Sequence, residues 1–187
     1  MNGTTDVGGP ADGGAPGPAA GRRRSMPVAF EAAVIVVIVV VDQLTKAAVR
    51  AEIPLHDSIT LLPGVLNLVH VRNTGAAFGF LNAVEFPHKA TVVALVAAAA
   101  LAGIALYAAR VSSHQRLARA GLALILGGAL GNLIDRLTIG SVVDFIDVAF
   151  GSWHFWAFNV ADSAITIGVV AMLADMIGLN RHASSTV

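Results

Sequence analysis

Four apolar stretches, each long enough to cross a bilayer, constrain this chain more than any other feature. They run over about 27–48, 89–110, 117–137 and 157–178. A helix over the first is about 33 Å long at 1.5 Å per residue, and the hydrocarbon core of a bilayer is about 30 Å thick. Inside that core every backbone polar group needs a partner from the chain itself, so each stretch must be helical. Composition agrees with this reading. The 187 residues are 56% hydrophobic and 13% charged, whereas soluble domains average about 45–50% and about 25%. The expected fold class is an all-α polytopic membrane protein with four transmembrane helices.

Lys and Arg set the expected orientation. Arg22, Arg23 and Arg24 precede the first span, Arg110, Arg116 and Arg119 lie between the second and third, and Arg181 follows the fourth. The link of about 138–156 has no Lys or Arg and carries Asp144 and Asp147. Both termini are therefore expected in the cytoplasm and both long links outside. Residues 1–25 are rich in Gly, Ala and Pro and have too little apolar surface to fold, so they read as a disordered cytoplasmic tail. A cleaved signal peptide is the alternative reading of this end, but no small-x-small site follows the first apolar stretch, and a retained helix is expected. Residues 26–180 make the membrane domain and 181–187 a short cytoplasmic tail. The first link, about 50–88, predicts strands at Ile59–Leu62 and Val65–Arg72 joined through Pro63-Gly64. With the glycine-containing run Asn73–Gly79 behind it, this piece reads as a small platform over the outer ends of the helices.

Charged groups inside spans cost about 2.5–3.5 kcal/mol each on insertion scales and so demand a reason. Asp42 and Lys46 stand one turn apart in the first span, either as an i,i+4 ion pair or as members of a site. Asn132, Asp135 and Arg136 end the third span, and Asn159, Asp162 and Ser163 begin the fourth. Both sets have i, i+3, i+4 spacing, which gives each helix one polar face. Glu31 and Asp175 belong near the cytoplasmic surface. In this topology Asp42, Asn132, Asp135, Arg136, Asp144, Asn159 and Asp162 all fall at one depth, in or just above the outer leaflet. The midplane stretches are Val, Ile, Ala, Leu and Gly, which favours a pocket at the outer interface over a channel.

Several chemistries are excluded early. The chain has no cysteine, and its six histidines form no His-Glu-x-x-His pattern, so thiolate chemistry and a zinc-peptidase site have no support. A formal net charge of zero advertises no nucleic acid. No metal or cofactor is expected. A Ser163–Lys46 dyad is conceivable, but paired aspartates account for more of the polar residues. Two neighbouring carboxylates cannot both ionise cheaply and share a proton. The ionised one can activate water while the protonated one donates to a carbonyl oxygen. Asp135, beside Arg136, reads as a structural ion pair, which leaves Asp144 and Asp162 as the catalytic candidates. A small carboxylate-dependent transporter and a non-catalytic membrane scaffold are the rival readings.

Five segments then carry a resemblance: Asp42-Gln-Leu-Thr-Lys46, Asn73-Thr-Gly-Ala-Ala-Phe-Gly79, Gly127-Gly-Ala-Leu-Gly-Asn-Leu-Ile-Asp-Arg136, Val142-Val-Asp-Phe145 and Phe158-Asn-Val-Ala-Asp-Ser163. In this order, over about 40–165, the chain resembles the lipoprotein signal peptidase family (signal peptidase II), aspartyl endopeptidases of the bacterial inner membrane. The resemblance implies a small extracytoplasmic β-cradle from the first link and a short helix on the outer side in the second. It implies cleavage of diacylglyceryl prolipoproteins just before the lipidated cysteine, contact with membrane lipid, and inhibition by globomycin-type cyclic peptides. Carried over to this chain, it makes Asp144 and Asp162 the catalytic dyad. Asp42, Lys46, Asn73, Gly75, Asn132, Arg136 and Asn159 become residues that order the site or meet substrate.

Overall fold

A computed structural model describes residues 27–75, 86–151 and 153–183, the last few by backbone alone. The expected 1–25 tail, Ala76–Gly79 of the glycine-containing run and residues 184–187 lie outside the described residues. Four helices appear where the apolar stretches predict them: α1 (Val28–Glu52), α2 (Lys89–Ala108), α3 (Arg116–Ile139) and α4 (Val160–Ala183). Each is long and apolar enough to cross a membrane. Exposed side chains such as Val36, Val37, Leu95, Val96, Val170 and Leu173 give α1, α2 and α4 apolar outer faces, as lipid contact requires.

Helix α3 is the axis of the bundle and contacts α1, α2 and α4. Glycines make this close approach possible. A Cβ on Gly121 would lie 2.6 Å from the carbonyl oxygen of Gly168 on α4, and one on Gly131 would lie 2.6 Å from Asp42 Oδ2 on α1. Lipid tails are as apolar as the helices, so membrane helices associate through such small-residue packing and through polar contacts. At one end of the bundle Glu31 of α1 forms a two-toothed ion pair with Arg119 of α3, with Nη2–Oε2 at 2.6 Å.

The other end carries a four-stranded antiparallel sheet in the order β1-β2-β3-β4: β1 (Ser58–Leu62), β2 (Leu66–Asn73), β3 (Val142–Phe150) and β4 (Trp153–His154). The platform is thus built from both long links rather than from the first alone. The short helix implied for the second link is replaced by strand β3. The reason is local and tertiary together. Val142, Val143, Ile146 and Val148 are β-branched and suit a pleated surface, and β2 offers an unpaired edge that β3 completes, Val71 opposite Asp144 and Asn67 opposite Asp147. The left-handed Gly140 (φ 73°) ends α3 and turns the chain into β3. Helix α4 begins at Val160, later than the apolar pattern suggests, because Phe158 is still paired with Ile146 of β3. The ends of α1 and α3 and the start of α4 therefore meet under the sheet. Val49, Ile53, Val143 and Phe145 form the small apolar core that joins the sheet to the helices.

Candidate active site

The polar residues gathered in sequence at one depth meet at this junction, in two connected layers. The inner layer is an ion cluster sealed from solvent. Lys46 Nζ lies 2.8 Å from Asp42 Oδ2, 3.1 Å from Asp135 Oδ2 and 2.9 Å from Asn132 Oδ1. Its three N–H donors are all used. Asp42 and Lys46 are 0% exposed and Asp135 is 1% exposed. The i,i+4 pair expected within α1 forms, but it reaches across to α3 and is shared.

Asp135 is ion-paired, but not with the residue expected from the sequence. Its partner is Lys46 and not Arg136. Consecutive residues on a helix do not face each other, and Arg136 instead donates to the carbonyl oxygens of Asn132 (3.2 Å) and Gly75 (3.2 Å). Asp135 Oδ2 also accepts the backbone N–H of Val143 at 3.1 Å, which pins the start of β3. Gln43 was not singled out in the sequence. Its amide nitrogen donates to Asp42 Oδ2 (3.2 Å), Asp135 Oδ1 (3.1 Å) and the Gly131 carbonyl (3.1 Å). The available signal was a third polar side chain on the same stretch of an otherwise apolar helix.

The outer layer holds Asp144 and Asp162. Asp162 is the third helical residue of α4 and forms a capping box with Asn159: Asp162 N–H donates to Asn159 Oδ1 (2.9 Å) and Asn159 N–H donates to Asp162 Oδ2 (3.3 Å). Asp42 Oδ1 accepts the next free N–H of the same helix end, from Ala161, at 3.0 Å. Carboxylates are favoured at this positive end of a helix dipole. Asn132 Nδ2 donates to Asp162 Oδ1 at 2.8 Å. Asp144 enters from β3, where Asn159 Nδ2 donates to its Oδ1 at 2.7 Å and Asn73 Nδ2 to its Oδ2 at 3.2 Å. The side chain of Asn159 therefore donates to the Asp144 carboxyl and accepts from the Asp162 backbone N–H, and it is 0% exposed.

Burial, and next the charge of Asp162, push the Asp144 carboxyl up to about 7, against the opposing pull of hydrogen bonds from Asn73 and Asn159 and the charge of Lys46. The Arg136 guanidinium is close enough to interact electrostatically with Asp162 and Asp144. Gly75 N–H donates to Asn73 Oδ1 at 3.1 Å, so the Asn73–Gly75 turn, Arg136 and Asp144 form one connected rim. Ser163 is not part of this layer. Its hydroxyl donates to the Asn159 carbonyl at 3.0 Å, and Lys46, the imagined base, is occupied by the inner cluster. Asp147 lies outside the site, paired with His154 (2.9 Å) and Asn67 (2.8 Å).

A buried carboxyl with a near-neutral pKa, coupled to a second carboxylate through one asparagine, can hold a single proton between them and act on water and a carbonyl together. Four membrane-length helices with such a pair at one end define a membrane-embedded enzyme of the aspartic-peptidase class. The chain belongs to the family described as Signal peptidase (SPase) II, whose profile matches residues 34–178. It is 44% identical over 150 residues to the lipoprotein signal peptidase of Geobacter sulfurreducens, covering 80% of this chain and 92% of that one. With the lipoprotein signal peptidase of Burkholderia cenocepacia it shares 45% identity over 139 residues, 74% of this chain and 82% of the relative. A solved structure described as a bacterial membrane enzyme superposes with a TM-score of 0.73 at 32% identity, covering 87% of this chain and 94% of that one. Family membership sets aside the transporter and scaffold readings.

Proposed function

We propose that this chain cuts diacylglyceryl-modified prolipoproteins just before the lipidated cysteine, with Asp144 and Asp162 as the catalytic pair. The observation that carries the assignment is Asn159, which donates its side-chain N–H to the Asp144 carboxyl and its backbone N–H to the Asp162 carboxyl. The pair starts with one shared proton. The ionised carboxylate takes a proton from a water molecule, whose oxygen attacks the scissile carbonyl. The protonated carboxyl gives its proton to the carbonyl oxygen, and a tetrahedral diol forms. The diol then collapses: one carboxyl gives its proton to the leaving nitrogen as the C–N bond breaks, the other takes a proton from a diol hydroxyl, and the pair again holds one proton. Asn132, Asn159 and Asn73 orient the carboxyls, and Lys46 with Asp42 and Asp135 holds the helix ends that carry them.

The lipid anchor of the substrate has an apolar route to the site. A groove of about 230 Å³ between α2 and α3 is lined by Ala90, Thr91, Ala94, Leu95, Ala98 and Leu137, and Arg136 closes it toward the carboxyls. An acyl chain seated there leaves the cysteine at the polar rim. The distribution of Lys and Arg supports placement in the bacterial inner membrane with both termini cytoplasmic and the sheet outside. Globomycin-type cyclic peptides would compete for the same pocket.

The test is cleavage of a diacylglyceryl precursor by purified protein in detergent. Asp144→Asn and Asp162→Asn are each expected to lower the rate by about 10²–10⁴-fold with an intact melting transition. Loss in Asp135→Asn with activity kept in Asp144→Asn overturns the pair. Equal cleavage of a precursor lacking the diacylglyceryl group overturns lipid recognition.

A further inference from the structure

Both tryptophans of the chain, Trp153 and Trp156, and three of its eight phenylalanines fall in the nine residues from Phe150 to Phe158. None of these side chains belongs to the carboxylate site. Phe150 is 67% exposed, Trp153 55% and Trp156 60%. They form a chain of ring contacts, Phe150–Trp153 at 5.8 Å, Trp153–Phe155 at 6.2 Å, and Phe155 onward to Trp156 (6.0 Å) and Phe158 (6.1 Å).

The sheet register shows that this aromatic edge continues an apolar face. Side chains alternate between the faces of a strand. One face carries Ile59 opposite Leu68 opposite Ile146, where Leu68 and Ile146 pack against the core beneath the sheet, then Leu62 opposite Leu66 opposite Val148, then Phe150 opposite Trp153 toward the uncovered edge. The other carries Thr60 opposite Asn67 opposite Asp147, with His154 bonded to Asp147. The sheet is amphipathic. Its two turns are neighbours in space, since Ala149 N–H donates to Val65 O at 2.8 Å. Leu61, Leu62 and Val65 of the first turn are exposed beside Phe150 and Trp153 of the second. No Lys, Arg, Asp or Glu occurs in Ser58–Leu66 or in Val148–Ala161.

We propose that the apolar face and aromatic edge of this sheet lie in the outer-leaflet lipid interface, anchoring the sheet flat on the bilayer and fixing the depth of Asp144. Continuity with the lipid-facing helices identifies the occupant. The membrane span α4 starts at Val160, two residues after Phe158, so the aromatic run sits where hydrocarbon meets headgroups. Tryptophan is enriched at that level because its ring is apolar and its N–H is not. A nine-residue strand is about 30 Å long. Standing away from the bilayer, β3 would hold Phe150 and Trp153 in water; lying along it, β3 buries them. Asp144 and Phe150 belong to the same strand, β3. Anchoring one end of β3 thereby sets the height of the carboxyl at the other. The anchoring rests on the membrane location alone, whereas its effect on cleavage rests on the function proposed above.

Because both tryptophans lie in this segment, intrinsic tryptophan emission of the full chain in phospholipid nanodiscs reports on it alone. Lipids brominated high in the acyl chain are expected to remove most of that emission, and aqueous iodide little. Trp153→Phe and Trp156→Phe, each leaving one reporter, should both retain this pattern. Strong quenching by iodide with bromolipid ineffective overturns the anchoring, and so does protection from both quenchers, which would place a protein contact there. Phe150→Asn combined with Trp153→Asn is expected to slow cleavage of vesicle-embedded precursor about three- to tenfold through weaker interfacial binding, and to leave cleavage in detergent unchanged. Equal rates in vesicles overturn the depth-setting role. A wild type that cleaves no lipoprotein precursor would refute the reaction, and the quenching result would still decide the anchoring.

Discussion

The site contains two pairs of aspartates that differ in one respect. Asp42 and Asp135 share an ammonium, and Asp144 and Asp162 share the neutral N–H donors of Asn159, one from its side chain and one from its backbone. The first pair is fully buried and contacted directly by Lys46. Through Lys46 and the backbone N–H groups of Val143 and Ala161, this pair connects α1, α3, α4 and β3. Asn159 brings neutral dipoles to the second pair, enough to orient both carboxyls and too little to fix both charges. The same residue type in the same protein thus sits in two different electrostatic settings, one beside a cation and one among neutral donors.

The largest effect is expected from removing the ammonium. Lys46→Met leaves two carboxylates buried without their cation and should cost about 3–5 kcal/mol of stability, read as a fall in melting temperature in detergent together with lost cleavage. Adding Asp42→Asn and Asp135→Asn to Lys46→Met should recover much of the melting temperature. A Lys46→Met protein that melts like the wild type and loses only activity would break the comparison, because Lys46 would then belong with the reacting groups.

A smaller effect, of opposite sign, is expected in the second pair. The Asp144 carboxyl is raised to about 7 in the folded state, while an unfolded Asp titrates near about 3.9. Between those values the unfolded chain has released its proton and the folded one retains it. Stability therefore declines as pH rises through this window and levels off above it. Asp144→Asn lacks that decline and should melt higher than the wild type at pH about 8 by more than at pH about 5. Parallel curves would mean that the carboxyl is not held protonated by the fold. Wild-type cleavage should likewise fall as pH rises beyond about 7, because the shared proton is lost.

The smallest effect concerns the amide that bridges the first pair. Gln43→Leu removes donors to Asp42, Asp135 and the Gly131 carbonyl and should cost about 1–3 kcal/mol. The cleavage rate per folded molecule should be nearly unchanged. A rate loss larger than the stability loss would show that the two layers are less separate than their charges indicate.

Much of this arrangement was legible in the sequence, for identifiable reasons. Membrane-length apolar runs permit only helices, so four spans followed from length alone. The polar residues could be placed at one depth because helical rise converts sequence separation into distance. The Asn159–Asp162 spacing announces a capped helix start before an apolar run, and it is the same geometry that presents Asp162. The sequence pairs Asp135 with its neighbour Arg136, whereas in the fold its cation is Lys46. Adjacency in sequence is not adjacency on a helix, and Lys46 lies 89 positions away from Asp135 in a different span. No local pattern marks the role of Gln43, because its three acceptors belong to two helices.

By itself the sequence determined the spans and the gathering of the carboxylates at one end of them, since both depend on hydropathy and on local periodicity. Tertiary structure decided the rest. The second link became a strand because the edge of β2 was waiting for it. Asp144 and Asp162 became a pair because one asparagine, buried where β3 passes the start of α4, can bond to both. Such contacts join segments far apart in the chain, and no local pattern specifies them.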